Sequence, residues 1–346
     1  MLLLRCILFV FGFACLNSPI DAKKAKYESQ NMDKVSAEKW DLPDKSNYET
    51  IFKITDGNYE DSIMEMEEPW IVLFYKTKID RKWLQHSKRV GGAIWYGKVD
   101  LEKNLHLANE MNFDHKTTNY VGGIAVVFPS KSKEKKIQFK AKKLIKVSEP
   151  HLAEKFASET MEDYTTELDF LPSNMQVFND WVVNTYYKSP IAKFPILCVT
   201  DTGDVPAVVK SLSKLMKSHF VIGVVQKSSA HRMISIFKEV PMPKVFPMYY
   251  TLLGREPTSE EMNRGSYKLH FDIFPYLSEK YGDSSLFHNV LNYMFLVNQD
   301  YRADLPGKRR GESSAIKNME EIKEKMNRKI KLLLKSQHKK LNKSEL

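Results

Sequence analysis

Three cysteines, Cys6, Cys15 and Cys198, are the only side chains of this 346-residue sequence suited to thiol–disulfide exchange, and their positions decide how much of that chemistry is available. Cys6 and Cys15 lie in an apolar run from Leu2 to Leu16, interrupted by Arg5 and followed by a polar stretch ending at Ile20-Asp-Ala22. That is the pattern of a secretory leader cleaved after Ala22, and the run is shorter than the roughly 20 residues of a spanning helix. Cleavage leaves Cys198 alone, so the mature chain is expected to hold no intrachain disulfide and to rest on its hydrophobic cores. Cys198 itself sits in Pro195-Ile-Leu-Cys-Val-Thr200, which reads as a buried strand, so a packed thiol is expected there in preference to a nucleophile. The rival reading is a monothiol oxidoreductase or isomerase acting through Cys198.

Other chemistries find little support. The nine histidines, His86, His106, His115 and His151 among them, show no metal-ligand spacing on a shared helix, so no metal is expected. A glycine-rich phosphate loop and a Gly-x-Ser-x-Gly elbow are both missing, and no cofactor is called for. Asn342-Lys-Ser344 is a glycosylation sequon, placed too near the C-terminus for its use to be expected. The last four residues, Lys343, Ser344, Glu345 and Leu346, look like a variant of the Lys-Asp-Glu-Leu retention address, which a receptor reads.

Charge is unevenly placed. The formal net charge is +10, yet Pro306 to Leu346 holds thirteen Lys or Arg against five Glu, so the body is nearly neutral and the tail basic. Within that tail Ile316, Met319, Ile322, Met326, Ile330 and Leu333 recur at three- and four-residue steps, and Glu324 precedes Arg328 by four. This predicts an amphipathic helix packed on the body, whose basic face suits an acidic protein or membrane headgroups; with no aromatics in it, nucleic acid is not an expected partner.

The elements that must position these residues come in two similar series. Residues 1–22 read as the signal peptide and 23–46 as a polar lead-in. From 47 to 165, Ile51-Phe-Lys-Ile54 is a short strand, a helix begins at Thr55, and Trp70-Ile-Val-Leu-Phe-Tyr75 is a buried strand. Ile79 to Arg89 is helical, and Ala93 to Val99 is a strand. A helix from Asp100 to Phe113 presents Leu101, Leu105, Ala108 and Met111, and Ile124 to Phe128 pairs with Ile137-Gln-Phe139 in a hairpin before a helix from Glu149 to Met161. The lysines from Lys131 to Lys146 are read as a solvated hairpin edge that resists strand addition, with a polyanion site as the alternative. The second series, 166–282, begins near Glu167. It has a helix capped by Ser173, the Cys198 strand, a helix opened by Pro206 and a buried strand Phe220 to Val225. A helix from Ser229 to Glu239 follows, then a strand from Val245 to Leu253 broken at Pro247, a partner strand Ser266 to Phe271 and a helix Ile273 to Tyr281. Residues 283–311 are read as a linker and 312–346 as the basic helix with its C-terminal tetrapeptide.

Over about two thirds of its length the chain resembles the thioredoxin-like superfamily, and within it the non-catalytic members of the protein disulfide isomerase group. Ile71-Val-Leu-Phe-Tyr75 matches the family's central strand and Gly97-Lys-Val-Asp100 the end of the next. The resemblance implies an α/β fold: two tandem thioredoxin-like domains, each a central mixed sheet flanked by helices, followed by the basic helix. Aligned from Tyr75, the family's two cysteines fall at Ile79 and Lys82, and its cis-proline at Gly123 in Val121-Gly-Gly-Ile124. Neither nucleophile nor resolving thiol then exists, and thiol exchange needs a thiolate. The second domain has Asp201-Thr-Gly-Asp204 in place of the motif, ordinary turn residues, but keeps a candidate cis-proline, Pro247, in Val245-Phe-Pro-Met248. The resemblance implies a redox-inactive protein of the endoplasmic reticulum lumen that binds unfolded clients or one dedicated partner; secretion, and a scaffold acting through the basic helix, are the alternatives.

Overall fold

The computed structural model describes residues 51–113, 122–188, 191–236, 245–255, 270–302, 305, 319–329 and 331. The leader, the lead-in, the sequon and the C-terminal tetrapeptide lie outside the described residues.

Two five-stranded mixed sheets carry the fold. In the first, β1 (Phe52–Lys53), β2 (Trp70–Tyr75), β3 (Trp95–Asp100), β4 (Ile124–Phe128) and β5 (Ile145–Val147) lie in the order β1-β3-β2-β4-β5. β1, β3 and β2 run parallel, β4 is antiparallel to β2, and β5 is antiparallel to β4. α1 (Arg81–Val90) connects the parallel strands β2 and β3, α2 (Leu105–Glu110) leads from β3 to the antiparallel β4, and α3 (Ser132–Lys140) and α4 (Pro150–Glu159) flank β5. The apolar run of β2 is continuous because both of its faces are covered. Trp70, Val72 and Phe74 join Phe52, Trp95, Val126 and Phe128 on one side, and Ile71 and Leu73 join Trp83, Tyr96, Val127, Ala153 and Ala157 on the other.

The second sheet repeats the plan with β6 (Thr166–Glu167), β7 (Phe194–Thr200), β8 (Phe220–Gln226), β9 (Met248–Arg255) and β10 (His270–Pro275), in the order β10-β9-β7-β8-β6. β6 and β7 are parallel to β8, β9 is antiparallel to β7, and β10 is antiparallel to β9. Its helices are α5 (Met175–Val183), α6 (Ala207–Leu215), α7 (Lys227–Ile236), α8 (Ser278–Tyr281) and α9 (Phe287–Tyr301).

The two sheets belong to one compact unit spanning residues 47–346. Ala207, at the start of α6, completes the cluster around Ile71 and Leu73. Glu162 accepts from Lys131 at 3.0 Å and from Lys214 at 3.3 Å, which ties the two domains electrostatically. Gly92 has φ +103°, and a Cβ there would lie 2.4 Å from the Phe287 ring, so only glycine allows α9 this approach.

Several expectations are corrected. Ile137-Gln-Phe139 is not the partner of β4; it belongs to α3, and β5 takes that place. Ile137 and Phe139 alternate as a strand would, but Phe139 turns inward to stack on Tyr59 at 5.7 Å while Ile137 stays 58% exposed. The lysine run is therefore largely helical, and Lys135 is fully buried, not on a solvated edge. The segment after Asn58 winds as a π-helical turn, Glu60–Met64. Leu105 is exposed and Leu107 takes its inward place. Ser173 caps nothing: it lies in a 3-10 turn before α5. The last hairpin runs to Pro275, so Ile273 is strand and α8 is a single turn. The linker assignment for 283–311 fails over Phe287–Tyr301, where Phe287, Val290, Leu291, Met294 and Val297 pack at helical spacing. Residues 237–244 and 256–269 lie outside the described residues, and so do the ends of the α7 and β10 predictions.

Candidate functional site

In each domain the place to inspect is the carboxyl end of the central strand, where the strand's exit, the next helix and the loop before the first antiparallel strand converge. In the first domain Ile79 is partly buried and forms a parallel bridge with Gly122. The Asp80 N–H donates to the Gly122 carbonyl at 3.0 Å. Gly122 has φ +88°, and a Cβ on it would lie 2.5 Å from Asp80 Oδ2, so the loop closes on the start of α1 only because it is glycine. Gly123, at the position aligned with the family's proline, also has positive φ, +96°. Lys82 points outward to Glu149 at 3.0 Å. The first turn of α1 thus carries Arg81 and Lys82 and no acidic side chain, and the loop's backbone is already engaged by the chain itself.

Sequence reasoning missed a relay behind that helix. His86 Nδ1 lies 2.6 Å from the Tyr96 hydroxyl, and its Nε2 is 3.0 Å from Glu154, which also pairs with Arg89. Burial would raise the Glu154 carboxyl, but the His86 bond and Arg89 prevail and hold it below the ordinary range. Burial, followed by the Glu154 charge, pushes the Tyr96 hydroxyl well up. Tyr96 is buried, so this is a tie between α1 and α4 and not a reactive centre. His86 and Glu154 stand 68 positions apart, and no spacing rule would pair them.

Among the described residues, the corresponding face of the second domain is open. Asp201, Thr202, Gly203 and Asp204 follow β7 and are all exposed. The Thr200 hydroxyl donates to the Thr202 carbonyl at 3.0 Å and the Thr202 hydroxyl to that of Asp204 at 3.2 Å, which shapes the turn. Opposite lies the Phe246–Pro247 peptide, which is cis, preceded by Val245, 51% exposed. Lys227 spans the two sides: its ammonium is 2.8 Å from Asp201 and 4.9 Å from the centre of the Phe246 ring. A shallow cleft runs between Asp201, Thr202, Gly203, Gln226, Lys227 and His231.

Cys198 lies outside this face, in the middle of β7, 0% exposed and opposite Tyr249 on β9. Burial pushes its thiol far above the ordinary range. Native Cys198, with Cys6 and Cys15 absent, is expected to react with a water-soluble maleimide at least ~100-fold more slowly than in the urea-unfolded chain, because access requires the core strand to open. Rapid labelling of the native chain would contradict this placement.

Among the described residues, no group of three or more His, Cys, Asp and Glu is placed to hold a metal, and no helix is long and apolar enough to cross a membrane.

The strand order, its parallel and antiparallel pattern and its repetition define two tandem thioredoxin-like domains. No protein-family model matches the chain, and no curated protein matches it in sequence. Solved structures do. The crystal structure of ERdj5 in form I is 10% identical over 80% of this chain and 32% of its own, with a TM-score of 0.46. Zinc-bound human ERp44 is 8% identical over 78% of this chain and 65% of its own, with a TM-score of 0.27. The first two thioredoxin domains of Saccharomyces cerevisiae Eps1p are 10% identical over 70% of this chain and 96% of their own, with a TM-score of 0.26. The chain spans about a third of the length of the ERdj5 structure.

Proposed function

We propose that this chain is a redox-inactive member of the protein disulfide isomerase group, resident in the lumen of the endoplasmic reticulum. In this reading it binds unfolded clients or a dedicated partner as a chaperone or adaptor through the open face of its second domain. The observation that carries the reading is the contrast between the two faces. The first domain has Ile79 and Lys82 where the thiols would stand, and its loop is tied down by Asp80. The second keeps an exposed Val245 beside the cis Phe246–Pro247 peptide, with Lys227 and Asp201 at the rim. An exposed apolar residue framed by a polar rim is suited to holding an extended apolar segment, and a scaffold without reactive thiols retains binding as its use. The secretory leader and Lys343-Ser-Glu-Leu346 support lumenal residence.

Single-thiol exchange through Cys198 is disfavoured by its burial, since exchange requires an accessible thiolate. Suppression of aggregation of a denatured client, together with cross-linked capture from lumenal extracts, tests the proposal. Val245→Asp is expected to reduce both at least ~5-fold, because a carboxylate on the apolar face must be desolvated by the bound segment. Lys82→Glu should leave both unchanged. Equal capture by the Val245→Asp chain, or no capture by the unmodified one, would sink the assignment.

A further inference from the structure

The tail returns to the first domain, at the end opposite Asp80 and Gly122. Residues 319–329 are helical, with Met319 and Met326 buried and Glu320, Glu321, Glu324, Lys325 and Arg328 exposed. Glu324 and Arg328 pair along the outer face at 3.3 Å. Lys329 lies on the same side as the two methionines and pairs with Glu68, just before β2. The turn segment that receives it is held from below: Lys135 Nζ on α3 donates to the carbonyls of Ile63 at 3.1 Å and of Met66 and Glu68 at 2.5 Å each. Its three donors are matched by three acceptors, so the 63–68 segment is fixed in a shape that presents the Glu68 carboxylate.

The fit of this helix to its seat is incomplete. Among the described residues, Met319 and Met326 are its buried apolar side chains, and methionine adapts to a surface without specifying it. Against that, Asn327 Oδ1 and Glu68 Oε2 are buried with no hydrogen-bond partner among the described residues, and each such atom opposes docking. Lys329 also brings a second ammonium near Lys135. The helix is covalently joined to the rest of the chain, and such attachment raises its local concentration at the seat. Weak contacts are then enough to keep it seated.

We propose that the end of the first domain formed by residues 63–68 and α3 is a docking surface for an amphipathic helix, and that the chain's own tail is its displaceable occupant. The partner it fits is a helix with two flexible apolar side chains seven positions apart and a cation three positions after the second, the pattern of Met319, Met326 and Lys329. This surface is separate from the open face of the second domain, so the two bindings can succeed or fail independently.

The test keeps the full chain. Met319→Asp with Met326→Asp releases the tail without altering the domains, which far-ultraviolet dichroism and the urea midpoint check. A fluorescent peptide of residues 313–341 is then titrated against both chains. It should bind the released chain at least ~10-fold more tightly than the unmodified one, where the tail competes. Glu68→Lys in the released chain should abolish the binding, and a peptide carrying Lys329→Glu should restore it. In the unmodified chain Glu68→Lys should also remove amide-exchange protection from 319–329. Equal affinity for both chains, no binding to the released chain, or peptide binding indifferent to Glu68→Lys would overturn the proposal. An unmodified chain that is dimeric at micromolar concentration with its tails exchanged would overturn it too, since the surface would then serve self-association.

Discussion

Lys135→Met should lower the stability of the chain by about 3 kcal/mol at pH 7, although it replaces a buried cation with an apolar side chain of similar length. The decisive groups are the acceptors. Lys135 is 0% exposed, and its ammonium meets the carbonyls of Met66 and Glu68 at 2.5 Å. The third carbonyl, that of Ile63, also accepts from the Met66 N–H at 3.4 Å, so two acceptors lose their donor outright. Each orphaned acceptor costs ~1–3 kcal/mol, which exceeds what the methionine regains by avoiding desolvation of the amine.

The same residue gives a pH signature. Burial pulls the Lys135 ammonium down to about 7, against the opposing pull of Glu68 and Glu67. The unfolded chain therefore holds this proton more tightly than the folded one, and the group's contribution to stability rises as pH climbs from 7 toward the ordinary lysine range. Urea denaturation at pH 7 and pH 9 should show the gap between the unmodified and Lys135→Met chains widening by about 2 kcal/mol. A gap below about 1 kcal/mol at both pH values would show that the three bonds do not hold the 63–68 segment.

On the acid side the expected effect belongs to His219. It is buried between β8 and the end of α9, where burial first, then Arg302 and Lys193, bring its imidazole down to about 4. Arg302 faces Nδ1 at 3.4 Å, fixed by the Ala192 carbonyl at 2.5 Å and by Asn298, so the ring cannot gain a proton without placing a second cation against a guanidinium that has nowhere to go. The folded pKa lies below the unfolded one. The stability is thus fully present above about pH 6.5 and drains away as pH falls toward 4, with about 2 kcal/mol lost between pH 7 and 4.5. His219→Gln should flatten that loss in urea titrations at the two pH values. Glu162 does not contaminate the window, because its bonds to Lys131 and Lys214 hold it at about 2 and its effect fades only below the ordinary carboxylate range. If the His219→Gln chain loses as much stability as the unmodified one, the imidazole is not the acid-sensitive group.

What the sequence by itself determined about this protein is what contiguous runs and absent residue types can carry. Trp70–Tyr75, Phe194–Thr200 and Phe220–Gln226 are legible as buried strands because a strand covered on both faces needs no partner to be recognised. Ile79 and Lys82 at the aligned positions exclude a thiol in the first domain whatever the fold does. The amphipathic period of the tail likewise follows from spacing alone. Tertiary structure decided everything that depends on which distant residue arrives. Ile137 and Phe139 alternate like a strand, yet Tyr59 and the carbonyls around Lys135 give α3 a better set of partners. A lysine surrounded by lysines reads as solvated until three carbonyls from 67 to 72 positions away enclose it. His86 with Glu154, His219 with Arg302 and Glu162 between two lysines are likewise products of packing. So is the contrast between the two domain faces: Asp80 reaches Gly122 across 42 positions because only a glycine lets the loop approach, and whether a face is open or closed is set by that approach and not by any local preference.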